Sequence, residues 1–491
     1  MKLSAMLKDA DYLKTVGDTN REVQNICYDS RKVKPNDMFV CIVGYETDGH
    51  KYIESAISAG ASVIVVQEGA EIPEFLEKIT VIFAENTRKI LAQLSAAFYG
   101  HPEKQLKIIG VTGTNGKTTV TTLVKSILEF EGKTVGLIGT NANMICGRIL
   151  PTERTTPESL ELFALFAEMV AEDVEYVVME VSSHSLDLFR VWGIEFCVGA
   201  FTNLTQDHLD FHGTMEQYLN AKKKLFLQSR CGVVNVDDNA GKSVLETAGC
   251  PTLSYAIDHE ADMKASDIHL SARGVIFSVF YNGQQYTVRL GIPGKFSVYN
   301  ALTAIGVVVA AGIEISRAIE ALTFAKGVMG RCETVYTNTD YTVIIDYAHS
   351  PDGLENIIKT VREFSEGRVI TLFGCGGDRD RTKRPIMGEI AGRLSDFCIV
   401  TSDNPRTEEP NAIIDDILVG VAKTDCDHVV IENRRDAIGY ALKFARQGDC
   451  VILAGKGHET YQILGKTKHH FDEREVVAEY LAEMKKAEVQ E

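Results

Sequence analysis

The sequence predicts an α/β protein of three domains: a small N-terminal α/β domain, a central P-loop domain built on a doubly wound, mainly parallel sheet, and a C-terminal Rossmann-like α/β domain. Three observations carry this. A chain of 491 residues exceeds what one hydrophobic core supports. Apolar runs of strand length alternate with helix-period segments along most of it. Finally, the run Leu106-Lys107-Ile108-Ile109-Gly110-Val111 leads into Thr112-Gly113-Thr114-Asn115-Gly116-Lys117-Thr118-Thr119, and Val120, Leu123, Val124, Ile127 and Leu128 then follow at helical spacing. That is a strand, a glycine turn and a helix start.

The elements follow in order. In residues 1–100, short strands such as Met38-Phe39-Val40-Cys41-Ile42-Val43 and Ser62-Val63-Ile64-Val65-Val66 alternate with helical segments. Tyr99-Gly100-His101-Pro102 punctuates the chain as a linker, since Gly and Pro together break regular structure. Residues 101–328 hold the glycine turn and further strands at 176–181 and 231–236, with a β-rich insert at 268–290 whose Asn282-Gly283 pair signals a hairpin. A boundary falls near Gly327-Val328-Met329-Gly330-Arg331. In residues 329–491, the runs 341–346, 368–374, 397–401 and 450–455 end in polar or glycine-rich loops, as parallel strands do. Ligands gather beyond the carboxyl ends of such strands, which is where Asp346, Gly374, Asp403 and Gly455 fall.

Composition narrows the function. With 51 basic against 68 acidic residues the net charge is −17, which argues against a surface built for nucleic acid or anionic lipid. The 11 cysteines are scattered without a C-x-x-C pair, so no disulfide framework or zinc finger is expected. The longest apolar stretch, 304–313, is too short to span a bilayer, and a cytoplasmic protein is expected.

The glycine turn points to a nucleoside triphosphate. Its backbone N–H groups line one concavity at a helix N-terminus, Lys117 can reach terminal phosphates, and the Thr118 hydroxyl can ligate Mg²⁺. The match to the common P-loop pattern is imperfect, because the first glycine of that pattern would fall on Val111. Glu180, ending a neighbouring strand, is placed to hold Mg²⁺ directly or through water. Asp207-His208-Leu209-Asp210-Phe211-His212 is either a metal-binding segment or a polar turn, and spacing alone does not choose. The stretch 218–226 is a short helix with three adjacent lysines, a solvated basic face when taken alone. Three clusters lie in the C-terminal third: Asp346-Tyr347-Ala348-His349, Gly374-Cys375-Gly376-Gly377-Asp378-Arg379, and Asp403-Asn404-Pro405-Arg406 with Gly455-Lys456-Gly457-His458-Glu459. Arg, Asn, Asp and Glu at successive strand ends suit a ligand with both ammonium and carboxylate groups.

Taken in order, the P-loop 112–119, Glu180-Val181-Ser182-Ser183-His184, Asp207-His208-Leu209-Asp210, the helix 218–226 and Asp346-Tyr347-Ala348-His349 resemble the Mur ligase family of ATP-dependent amino-acid ligases. The resemblance runs from about Ser30 to Glu459, and Asp29-Ser30-Arg31 is similar to the family's uridine-nucleotide domain. It implies a peptidoglycan-precursor ligase: ATP phosphorylates the D-glutamyl side-chain carboxylate of UDP-N-acetylmuramoyl-L-alanyl-D-glutamate, and an incoming amine displaces phosphate from the acyl phosphate. ATP and Mg²⁺ are the implied cofactors, and a monomer is expected.

By motif position, the resemblance assigns Gly113, Thr114, Asn115, Gly116, Lys117, Thr118, Thr119, Asn300, Arg331, Asp346 and His349 to ATP. It assigns Mg²⁺ to Thr118, Glu180, His208 and a carbamylated Lys222, so that Lys117, Glu180, His208 and Lys222 form the catalytic set. Ser30, Thr155, Thr156, Ser182 and Arg190 match positions that hold the UDP substrate; Arg154 stands where an asparagine is common and Leu188 where a glutamine is common. For the acceptor, Asp403-Asn404-Pro405-Arg406 with Arg379, Gly455 and Glu459 implies meso-diaminopimelate, with L-lysine as the alternative acceptor and a folylpolyglutamate-type ligase as the alternative branch.

Overall fold

The computed structural model describes residues 1–44, 47–72, 79–152 and 154–488, so the last three residues of the expected C-terminal domain lie outside the described residues. The chain forms two compact units, Met1–Asp262 with Thr303–Ile315, and Met263–Leu302 with Ser316–Glu491.

The first unit holds two sheets. Its N-terminal sheet runs Lys14–Val16, Thr80–Ala84, Val63–Gln67, Met38–Val40, Ile26–Cys27, all parallel except the first pair. The other sheet runs Thr252–Ala256, Gly232–Asn235, Val198–Phe201, Lys107–Thr112, Tyr176–Glu180, Val135–Ile138, every pair parallel, and ends in the antiparallel ribbon Asn143–Ile145 and Arg148–Leu150. Nearly every residue of these parallel strands is buried, because helices cover both faces. Lys107–Thr112 has Tyr176–Glu180 on one side and Val198–Phe201 on the other, with Glu180 paired to Val111 and Phe201 to Thr112. A crevice opens where chain connections leave a sheet in opposite directions, so the ends of these three strands define a ligand site. The lysine-bearing helix spans Met215–Lys223, starting earlier than the expected 218–226 because the Thr214 hydroxyl caps it by accepting from the Gln217 N–H at 3.2 Å.

In the second unit, Met263–Ser271, Gly274–Tyr281 and Gln284–Leu290 form an antiparallel ribbon. The Asn282-Gly283 turn has both φ values positive, as the tight hairpin requires. The insert begins before the expected residue 268, since the bulge between Ser266 and His269 interrupts the alternation that marks a strand. The larger sheet runs Glu333–Val335, Thr342–Asp346, Cys450–Ala454, Val369–Phe373, Phe397–Val400, His428–Val430, parallel except for the first pair. The four inner strands are the apolar runs read from the sequence. Alternate residues face opposite cores: Ile344, Phe373, Val400 and Ile452 on one side, Val343, Leu372, Ile399 and Val451 on the other. The three-residue edge strands lack that apolar signal.

Candidate active site

The glycine turn is shaped by what touches it. A Cβ at Gly113 would collide with Thr202 Oγ1, and Gly116 has φ 87°, so neither position accepts a larger residue without strain. Residues leaving the strand Val198–Phe201 brace the turn: Thr114 N–H donates to the Asn203 carbonyl at 2.9 Å, Asn115 N–H to Asn203 Oδ1 at 2.9 Å, and Thr202 Oγ1 to the Asn115 carbonyl at 2.7 Å. The displaced glycine of the sequence pattern is therefore a packing requirement of the neighbouring strand. Lys117 curls over the turn, its Nζ 2.9 Å from the carbonyls of both Gly113 and Thr114, while Thr118 and Thr119 occupy the first turn of the helix Lys117–Phe130.

Lys222 reaches the same carbonyl from another element. It is 1% exposed, its Nζ donates to the Gly113 carbonyl at 2.8 Å, and it lies 4.3 Å from the centre of the Tyr218 ring. Burial, with Lys117 nearby, pushes this amine well below the usual lysine range. Of the three adjacent lysines, Lys223 donates to Ser243 and Lys224 pairs with Asp187. The solvated-face reading thus fails for Lys222 alone.

Glu180 is also buried; its carboxylate accepts from Thr140 N–H at 2.9 Å and from Thr140 Oγ1 at 3.1 Å. His208 sits in a left-handed conformation at φ 52°, with Asp207 accepting from its backbone N–H at 2.8 Å. Its ring packs 4.8 Å from that of His184, which lies 5.5 Å from His212. Burial and the two neighbouring imidazoles hold His184 down at about 4. Among the described residues no group of three or more His, Cys, Asp or Glu is placed to share a metal.

A cavity of about 460 Å³ is lined by Arg154, Thr155, Thr156, Ser182, Arg190 and His208, among others. Its wall is tied to the end of the Glu180 strand. Thr156 Oγ1 donates to the Glu180 carbonyl at 2.8 Å and accepts from Ser182 N–H at 3.1 Å, and Arg190 donates to the Thr156 carbonyl at 3.1 Å. Four of the five residues the sequence assigned to the UDP substrate meet here. Ser30, in the 3₁₀ turn Ser30–Lys32 of the N-terminal sheet, is not among the lining residues.

The second unit gathers its own cluster. Asn404 donates to Glu459 at 2.9 Å, and Arg406, left-handed at φ 51°, donates to the Gly377 carbonyl at 2.8 Å. Arg379 and Arg406 both flank Gly376. A Cβ on Gly455, φ 119°, would press on Asp403 Oδ2 at 2.5 Å, so glycine keeps that carboxylate in place; Pro405 is buried beside it. Lys456 is fully buried and lies 3.2 Å from both Asn404 Oδ1 and Glu459 Oε2, and 3.9 Å from Asp403 Oδ1. Elsewhere in this unit, Asp346 accepts from the N–H groups of Cys332 (2.7 Å) and Ala348 (2.8 Å), and burial raises its carboxyl. Arg331 stacks 5.1 Å over Tyr347, and His349 hydrogen-bonds the Tyr347 carbonyl at 2.9 Å. Asn300 is buried in the helix Lys295–Ala310.

Sequence reasoning gave no role to Lys456, Thr140 or Glu158. Lys456 sits inside a quoted motif, but only its burial distinguishes it from a surface lysine. Thr140 and Glu158 act through contacts across 40 and 32 residues of chain, to Glu180 and Arg190, which no local pattern reveals.

Comparison with known proteins bears on this geometry. Family models match residues 22–99 (Mur ligase family, catalytic domain), 111–308 (Mur ligase middle domain) and 330–457 (Mur ligase, glutamate ligase domain). A relative from Clostridium botulinum, named UDP-N-acetylmuramoyl-L-alanyl-D-glutamate--2,6-diaminopimelate ligase, is 50% identical over 486 residues, covering 99% of this chain and 100% of its own. One of the same name from Clostridioides difficile is 45% identical over 488 residues, with the same coverage. A solved structure of an enzyme of that name is 29% identical with a TM-score of 0.71, covering 95% of this chain and 96% of its own. The folylpolyglutamate synthase of Mycobacterium tuberculosis, solved with ADP, is 18% identical with a TM-score of 0.60, covering 75% of this chain and 91% of its own, a likeness of fold.

Proposed function

The chain belongs to the Mur ligase family, and from that premise we propose that it is an ATP-dependent acid–amino-acid ligase that joins meso-diaminopimelate to the D-glutamyl side-chain carboxylate of UDP-N-acetylmuramoyl-L-alanyl-D-glutamate. The observation that carries the catalytic part is Lys222, a buried amine 2.8 Å from the carbonyl of P-loop Gly113. The acceptor rests on the relatives' names and on the Asp403, Asn404, Arg406 and Glu459 cluster. Domain boundaries at 100 and 328 belong to the same proposal.

Both chemical steps build negative charge. In the first, a carboxylate oxygen attacks the γ-phosphorus and ADP leaves; Lys117 and the N–H groups of residues 116–119, at the start of the helix Lys117–Phe130, stabilise the charge spreading onto the phosphoryl oxygens. In the second, the acceptor amine attacks the acyl carbon, the C–O bond to phosphate breaks, inorganic phosphate departs, and the proton lost by the amine passes to solvent. The amine must arrive deprotonated, so the acidic cluster around Asp403 and Glu459 must hold the distal ammonium rather than the reacting one. Asn300, Arg331, Asp346 and His349 complete the assignment to ATP.

Mg²⁺ fits the donor set. The Glu180 carboxylate, the Thr118 hydroxyl and a Lys222 carbamate are hard oxygen donors, with His208 adding nitrogen. Held by these residues, the ion would supply positive charge to screen the anions that the reaction brings together. Carbamylation needs a neutral amine: Nζ attacks CO₂, a C–N bond forms, and one proton leaves to solvent. The depressed Lys222 amine supplies that neutral form, and its product is the anion the cation requires.

The acceptor is tested by ligation with meso-diaminopimelate and L-lysine at equal concentration. Arg379 and Arg406, both beside Gly376, can pair with a second carboxylate, which predicts a preference of about 10²-fold or more for diaminopimelate, since lysine forgoes that charge-assisted pair. Equal rates would overturn the acceptor assignment.

A further inference from the structure

The cavity beside Glu180 is backed by a charge arrangement centred on Glu158, a residue to which the ligase assignment gives no role. Glu158, 7% exposed, meets three guanidinium groups from three segments. Its Oε1 lies 2.8 Å from Arg190 Nε and 3.2 Å from Arg154 Nη1; its Oε2 lies 3.3 Å from Arg88 Nη1. Arg88 is turned away to the Val43 carbonyl, whereas Arg154 and Arg190 line the cavity. The Arg190 Nε contact is an ion pair without hydrogen-bond alignment, so that buried N–H has no aligned acceptor. The nearby Glu161 is engaged by the Tyr28 hydroxyl at 2.7 Å. One carboxylate thus gathers three cations, and two of them face a cavity able to hold an anion.

We propose that Glu158 is a positioning residue that sets Arg154 and Arg190 side by side to receive an oxyanion of the nucleotide-sugar dipeptide. Arg154 then supplies a second cation on the wall that Arg190 occupies. A guanidinium held by a buried carboxylate keeps its remaining N–H groups aimed in fixed directions, which a free arginine does only at an entropic cost. The proposal rests on the ligase reading. The oxyanion is either the non-reacting D-glutamyl carboxylate or the diphosphate, the chemistry at the arginines being the same.

The test measures steady-state constants for all three substrates, and calorimetric binding of UDP-MurNAc-L-Ala-D-Glu without ATP, in wild type, Glu158→Gln, Glu158→Asp and Arg154→Asn. Glu158→Gln should raise KM for the UDP substrate about tenfold, with kcat and the other two KM values within about twofold. Glu158→Asp should recover part of the loss, and Glu158→Gln should cost less in the Arg154→Asn background than alone. Loss of preference for the D-glutamyl over the D-isoglutaminyl substrate in Arg154→Asn identifies the carboxylate; weakened binding of UDP alone identifies the diphosphate. Unchanged KM for the UDP substrate, or an equal rise in all three KM values with a lowered Tm, would overturn the proposal. Wild-type protein that neither binds nor turns over the UDP substrate would instead defeat the ligase reading beneath it.

Discussion

Replacing Lys222 by alanine separates its structural from its chemical contribution. The side chain is 1% exposed and donates to the Gly113 carbonyl at 2.8 Å. Truncation removes that bond and leaves a void, costing about 2–3 kcal/mol of stability. In a protein of this size that lowers Tm by roughly 5 °C, leaving the chain folded at assay temperature. If the carbamate is the anion that catalysis uses, turnover falls by about 10³-fold, equivalent to about 4 kcal/mol of lost transition-state stabilisation. The void has room for a small carboxylic acid, so millimolar formate or acetate should restore activity at least tenfold in Lys222→Ala. Lys222→Met keeps the stem and fills the void, so it should be equally inactive and gain nothing from the acids. Initial-rate phosphate release with and without added acid reads both variants. A fully active Lys222→Ala, or equal rescue of alanine and methionine variants, would refute the carbamate role.

Two other outcomes follow from buried ionisable groups. Lys456→Met leaves Glu459 and Asn404 without their internal cation, and removing one member of a buried charge pair costs about 3 kcal/mol; KM for the diamino acid should change by tenfold or more, while KM for ATP holds. A change confined to kcat would count against placing Lys456 in the acceptor cluster. His184, held at about 4 against an ordinary 6.5, is neutral in the folded state at pH 6 while the unfolded chain binds a proton. Its contribution is present above 6.5 and lost as pH falls toward 4; with solvent screening of a half-buried ring it amounts to about 1–2 kcal/mol. Urea titrations of wild type and His184→Gln across that window should converge at low pH, and parallel curves would contradict the shift.

Much of this protein is legible in its sequence because its strands are buried on both faces. Lys107–Thr112, Tyr176–Glu180, Thr342–Asp346 and Cys450–Ala454 are apolar runs; two end on the proposed ligand residues Glu180 and Asp346, and the other two stop one residue short of Gly113 and Gly455. The short edge strands Glu333–Val335 and His428–Val430 carry no such signal, since one side of each is open. The glycine pattern announced a triphosphate site but not why the first glycine is shifted; Thr202, about 90 residues on, decides that. Lys222 shows the limit most clearly. Three consecutive lysines look alike as letters, and only helix rotation sends one beneath the P-loop while the others reach Ser243 and Asp187.

The claim that ties these parts together is that ATP is consumed to activate a carboxylate of the UDP substrate for attack by a diamino acid. Phosphate release measured with each component omitted in turn tests it most directly. Release should require both UDP-MurNAc-L-Ala-D-Glu and meso-diaminopimelate and fall to background without either; release that continues unchanged when either is left out would contradict it.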